Sequence, residues 1–158
     1  VGRCVREACT RGPALVPTFQ IDESCEVTAN EETVADAIAE VLNNSFRELR
    51  EQRVEQPSIT TRVWMETGDV HFTIEDNALP VDQQLIRDPF KEDASTYARS
   101  GRGSGLGLAI VYETFRAHGG SCDLTGNRDA MGNRLPGVTF KGSLPLPGQL
   151  PNEELKDG

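Results

Sequence analysis

Gly101-Arg102-Gly103-Ser104-Gly105-Leu106-Gly107-Leu108-Ala109-Ile110-Val111 is the stretch from which the rest of the chain is read. Its four glycines stand at alternate positions, so the backbone bends tightly and nothing keeps a ligand from approaching it. They run straight into an apolar helical pattern. A loop that opens a helix turns free amides toward an anion, with the positive end of the helix dipole behind them, which is the usual way to build a phosphate cradle. The run fits neither common fingerprint. A GxGxxG started at Gly101 meets Leu106 at its third glycine, one started at Gly103 meets Leu108, and no Gly-Lys-Ser/Thr ending exists for a Walker A loop.

Working outward, the helix expected from about Ser104 to Ala117 closes on His118-Gly119-Gly120, where glycine supplies a left-handed cap. Upstream, residues 77–103 are polar, interrupted by Pro80 and Pro89, and carry no long periodic element. A loop of that length inside a compact domain is commonly a functional lid. Before it, Val70, Phe72 and Ile74 alternate with His71, Thr73 and Glu75, the pattern of a strand with one buried face. A second strand is expected at Ile59–Glu66, joined to it by a turn at Thr67-Gly68-Asp69.

From Glu31 to about Gln52, Val34, Ala37, Ile38, Val41, Leu42, Ser45 and Leu49 form a one-faced helical stripe, with Asn30 as N-cap and Pro57 as terminator. Phe19, Ile21 and Val27 suggest a first strand, and Ser121–Leu124 and Val138–Leu146 two last ones. Residues 1–16 read as a linker or the end of a preceding helical region, residues 17–146 as the domain, and Pro147–Gly158 as a disordered tail.

The chain has 158 residues and a net charge of −9, which suits one domain and argues against a general nucleic-acid or anionic-membrane surface. Its four cysteines have no CxxC spacing, so neither zinc nor a disulfide framework is signalled and free thiols in a reducing cytoplasm are expected. No apolar run reaches the length of a membrane span. A start at Val1 rather than methionine suggests a piece of a longer protein.

Two further constellations accompany the glycine run. Glu40 and Asn44 stand one helical turn apart, so a carboxylate and an amide oxygen share a face that would suit Mg²⁺ and a polarised water, with Arg47 one turn beyond as a phosphate partner. Asp76-Asn77 ends a hydrophobic strand, where a carboxylate would accept a hydrogen bond from an exocyclic amine.

In this order the segments resemble the ATP-binding catalytic domain of sensor histidine kinases, in the superfamily of gyrase B, Hsp90 and MutL. Glu40-Val41-Leu42-Asn43-Asn44-Ser45 matches the N box and Asp76-Asn77 opens the G1 box. Asp88-Pro89-Phe90 resembles the F box, and Gly103–Val111 the G2 box, over a resemblance covering residues 19 to 146. It implies a Bergerat-type two-layer α/β sandwich, a mixed and mostly antiparallel sheet of about five strands covered on one face by about three helices, with ATP held under a lid. It implies Asn44 as the Mg²⁺ ligand, Glu40 in the polarising position, and Asp76, with Ala78 beside it, at the adenine. Gly103, Ser104, Gly105, Leu106, Gly107 and Leu108 would cradle phosphate, with Arg47, Arg99 and Arg102 contacting it.

Ala78 and Pro80 stand where the G1 box normally has glycines, so the hinge between strand and lid is expected to take a different path. Neither His71 nor His118 has the context of a phospho-acceptor. The implied partners are therefore a histidine-containing dimerisation domain and a response regulator receiver domain, with the domain itself cytoplasmic and not inserted in a membrane. A degenerate module that signals by protein contacts, and a serine kinase of the anti-sigma type, remain the alternatives.

Overall fold

The computed structural model describes residues 17–22, 24–27, 29–78, 89–90 and 107–147. The expected linker, most of the lid, residues 148–158 of the tail, Cys4, Cys9 and Asp88 lie outside the described residues, as do Arg99, Arg102, Gly103, Ser104, Gly105 and Leu106. Among the described residues there are five strands and two helices: β1 (Thr18–Ile21), α1 (Glu31–Glu51), β2 (Ile59–Glu66), β3 (Asp69–Asp76), α2 (Gly107–Ala117), β4 (Ser121–Arg128) and β5 (Arg134–Pro145).

The strands form one sheet in the order β1-β2-β3-β5-β4. β1 and β2 are parallel, which needs a crossover, and α1 provides it. The other pairings are antiparallel. The result is a two-layer α/β sandwich with the helices packed on one face.

α1 forms as its sequence dictates. Asn30 accepts a 3.1 Å hydrogen bond from the Thr33 amide, Glu31 and Glu32 occupy the first turn, and the whole expected stripe is buried together with Phe46. Its end falls within one residue of the expected Gln52, but Pro57 is not what ends it. The helix stops at Glu51, well before Pro57, through a left-handed cap at Arg53 (φ 51°), with Val54 N bonded to Leu49 O and Arg53 N to Arg50 O. A local cap had already satisfied the last carbonyls. β1 is also shorter than expected, because Asp22 accepts from the amide and hydroxyl of Ser24 and turns the chain before Val27.

β2 and β3 meet in a two-residue turn, Thr67-Gly68, both at positive φ, which pairs Glu66 with Asp69. Val70, Phe72 and Ile74 are fully buried as the alternation demands. α2 contributes Val111 and Phe115 to the core. The Phe115 ring centroid lies 5.3 Å from that of Phe72 and 6.0 Å from that of Phe140. This aromatic trio fastens α2 to β3 and β5. Gly119 (φ 72°) caps α2, with Gly120 N bonded to Phe115 O.

The last two strands are longer than expected. β4 continues past Leu124 to Arg128 and β5 begins at Arg134 rather than Val138. Asp129 closes the hairpin by accepting from the amides of Met131 and Asn133 and from the Asn133 side chain. On the face of the sheet opposite the helices Trp64 stacks on His71 at 5.6 Å. Cys25 and Cys122 are free thiols. Burial pushes the pKa of both up, that of Cys122 to about 12, so neither is disposed to act as a nucleophile.

Candidate functional site

Asp76, the last residue of β3, is 3% exposed. The strand alternation that buries Ile74 also turns its carboxylate inward. Oδ2 accepts a 2.7 Å bond from Ser45 Oγ, while Oδ1 accepts from the amides of Ala78 (3.1 Å) and Val138 (3.4 Å). Burial raises its pKa above the ordinary aspartate value, and the bonds from Ser45, Ala78 and Val138 pull it back down. A carboxylate offers about four acceptor positions. Among the described residues three donors take three of them, so Oδ2 keeps room for one more.

α1 brings the second group of residues to the same place. Ser45 faces Asp76 from the buried side of the helix. Glu40 and Asn44 are half-buried one turn apart. Arg47 Nη2 donates to Asn44 Oδ1, so the amide oxygen already serves a cationic group.

The start of α2 closes the arrangement. A Cβ on Gly107 would overlap Glu40 Oε1, so the first described residue of α2 lies directly against the Glu40 carboxylate. Leu108 packs against the core beside it. Phe90 stacks on Tyr112 of α2 at 5.2 Å, tying the expected F-box residue to the same helix.

At the end of β3, Ala78 is buried in the core, and it is not among the described non-glycine residues with positive φ, which are Arg53 and Thr67. The chain therefore leaves β3 without a glycine-type conformation there. Asn77 ties the α1–β2 connection to this point, accepting from Ser58 N and donating to Gln56 O, both at 2.8 Å.

The structure thus gathers Glu40, Asn44, Arg47, Asp76, Ala78, Gly107 and Leu108 around the α1–α2 junction and the end of β3. Sequence reading did not single out Ser45 or Asn127 as site residues. Ser45 had a signal, a hydroxyl in an otherwise apolar stripe. Asn127, which donates a 2.7 Å bond to the Asp76 backbone carbonyl, had none. His118 Nδ1 bonds Thr114 O at its own helix end, and His71 lies on the far face of the sheet. Among the described residues no group of three His, Cys, Asp or Glu is placed to hold a metal by itself.

The architecture is that of histidine-kinase catalytic domains. A mycobacterial sensor histidine kinase, MprB, superposes with a TM-score of 0.72 at 23% identity, over 90% of this chain and 91% of that one. The catalytic domain of the histidine kinase ThkA in a nucleotide-free form gives 0.71 at 20% identity, over 92% and 91%. Full-length ShkA in complex with AMPPNP gives 0.65 at 18% identity, over 91% of this chain and 27% of that one. None of the curated proteins compared matches the sequence. The family described as histidine kinase-, DNA gyrase B-, and HSP90-like ATPase matches residues 29–148, and the chain belongs to that family.

Proposed function

We propose that this chain is the Mg²⁺-ATP-binding catalytic domain of a two-component sensor histidine kinase, acting on a histidine of a separate dimerisation domain for relay to a response regulator receiver aspartate. The observation that carries the reading is the buried Asp76 carboxylate, held by three donors among the described residues with one acceptor position left over. That position suits the 6-amino group of adenine. A buried carboxylate that lacks its last donor is costly, and a ligand amine offsets the cost.

The donor set also suits a magnesium nucleotide. Mg²⁺ is commonly held by one or two protein oxygens together with substrate phosphates, so Asn44 Oδ1 alone is enough from this chain. Arg47, now on that oxygen, would swing to phosphate when the metal takes its place. When bound, the ion neutralises charge on the transferred phosphoryl group. Glu40, which lies against Gly107 of α2, would orient the attacking group or accept its proton. By the resemblance, Gly103, Ser104, Gly105 and Leu106 would cradle phosphate together with Gly107, Arg99 and Arg102 would contact it, and residues 77–103 would act as the lid.

No helix among the described residues is long and apolar enough to cross a membrane. The proposed place of work is the cytoplasm, where ATP and a receiver domain are both at hand. A second reading, a module that binds partners without transferring phosphate, rests on the buried Ala78 methyl at the lid's near hinge. Calorimetric titration with ADP and ATP, with and without Mg²⁺, separates the two. Saturable, Mg²⁺-dependent binding that Asp76→Asn weakens by about tenfold or more is the expected result, and no binding at millimolar nucleotide overturns the kinase reading.

A further inference from the structure

We propose that Asn127 is a positioning residue for adenine recognition, acting through Asp76. The inference rests on the reading of Asp76 as the acceptor of the 6-amino group.

The backbone ladder between β3 and β5 stops at the Glu75–Thr139 pair. One residue further, Val138 would stand opposite Asp76 and the two main chains would pair. Instead the Val138 amide points to the Asp76 side chain, at 3.4 Å from Oδ1. The Asp76 carbonyl is served by another donor, Asn127 Nδ2 at 2.7 Å.

Asn127 comes from β4, which is not a neighbour of β3, because β5 lies between them. Its amide crosses the intervening strand at Gly137. A Cβ there would overlap the Asp76 carbonyl oxygen and fall 2.7 Å from Asn127 Nδ2, and the residue has φ 93°. Only glycine leaves the passage open.

The amide is also locked in orientation. Asn127 Nδ2 donates its second hydrogen to Pro136 O at 2.9 Å, and Oδ1 accepts from Thr139 Oγ1 at 2.7 Å. Both donor hydrogens are in use and the oxygen is held, in a residue that is 8% exposed. Asp76 is therefore gripped twice, its carbonyl by Asn127 and its carboxylate by Ser45, Ala78 and Val138. With Asn127 on the carbonyl, the Val138 amide is left for the carboxylate that reads the base. Fixing that carboxylate before the ligand arrives is how recognition groups gain discrimination.

The test is calorimetric, comparing ATP with purine riboside 5′-triphosphate, which lacks the 6-amino group, on the wild type, Asn127→Ala and Thr139→Val. Wild type is expected to prefer ATP by about tenfold or more. Asn127→Ala should lose most of that preference while its affinity for the analogue stays within about twofold, and Thr139→Val, which keeps the shape but frees the amide to turn, should lose a smaller part. Equal weakening toward both ligands, or an intact preference in the variants, overturns the positioning role and leaves Asn127 as a prop of the sheet end. A wild type that binds both triphosphates equally overturns the adenine reading of Asp76 and the proposal with it. Should Asn127→Ala fail to fold, Thr139→Val decides.

Discussion

Ser45 Oγ lies 2.7 Å from Asp76 Oδ2, a hydrogen bond that joins the buried side of α1 to the last residue of β3. It ties helix to sheet and shapes the acceptor in one contact. Ser45→Ala should destabilise the fold by about 1 to 2 kcal/mol, since a buried carboxylate loses a donor. The variant should also weaken ATP binding severalfold, measured by urea denaturation and by calorimetry on the same preparation.

Asp76 gives the protein a pH signature. Its folded-state pKa is raised, so between the ordinary aspartate value and the raised one the folded chain holds a proton that the unfolded chain has released. Stability from this group is full below that window and declines as pH rises through it. Asp76→Asn should flatten that slope in a denaturation series across pH. In the wild type, acidification through the same window should weaken ATP binding, because a protonated carboxyl is a poorer acceptor for an amine.

Glu40 should matter to the reaction more than to binding. Glu40→Gln preserves shape beside Gly107, so ADP affinity is expected to stay within a few-fold, while single-turnover phosphoryl transfer falls about 100-fold or more. A comparable loss of ADP affinity would place Glu40 in binding instead.

Arg53 holds the left-handed cap of α1 at φ 51°, a conformation that costs a residue with a side chain. Arg53→Gly should raise stability by about 0.5 to 1 kcal/mol, read as a higher denaturation midpoint with an unchanged slope.

Ala78 contributes a buried methyl just past the end of β3. Ala78→Gly should lower stability by about 1 kcal/mol through lost burial and a freer unfolded chain. If the alanine also limits the hinge, the same variant will bind ATP more tightly, a result that calorimetry reads directly.

What the sequence disclosed follows the range of the forces involved. α1 was legible in its start and its stripe because capping and one-sided burial act within a few residues, and Asn30 and the Val34–Leu49 set carry both. The β2–β3 hairpin was legible for the same reason, with Thr67-Gly68 between two alternating runs. The ends of β4 and β5 were not. Gly126, Asn127, Pro136 and Gly137 all read locally as breakers, and only pairing around a register shift near Gly126 and Arg128 makes them strand. Because Asn127 reaches Asp76 across 51 residues, its place in the site is a property of that register and of no local pattern. Ser45 sits between the cases, its helix face predictable and its partner not.

The stacked pair of Trp64 and His71 has a practical consequence. Trp64 is the only tryptophan in the chain, and it lies on the side of the sheet turned away from the helices and from Asp76. Its emission is thus an optical reporter on the face of the sheet opposite Asp76. With ATP held at Asp76 as proposed, a spectral change would record a change in the protein around Trp64, not the base quenching the indole. The protein carries a built-in gauge of whether occupancy on one side is felt on the other.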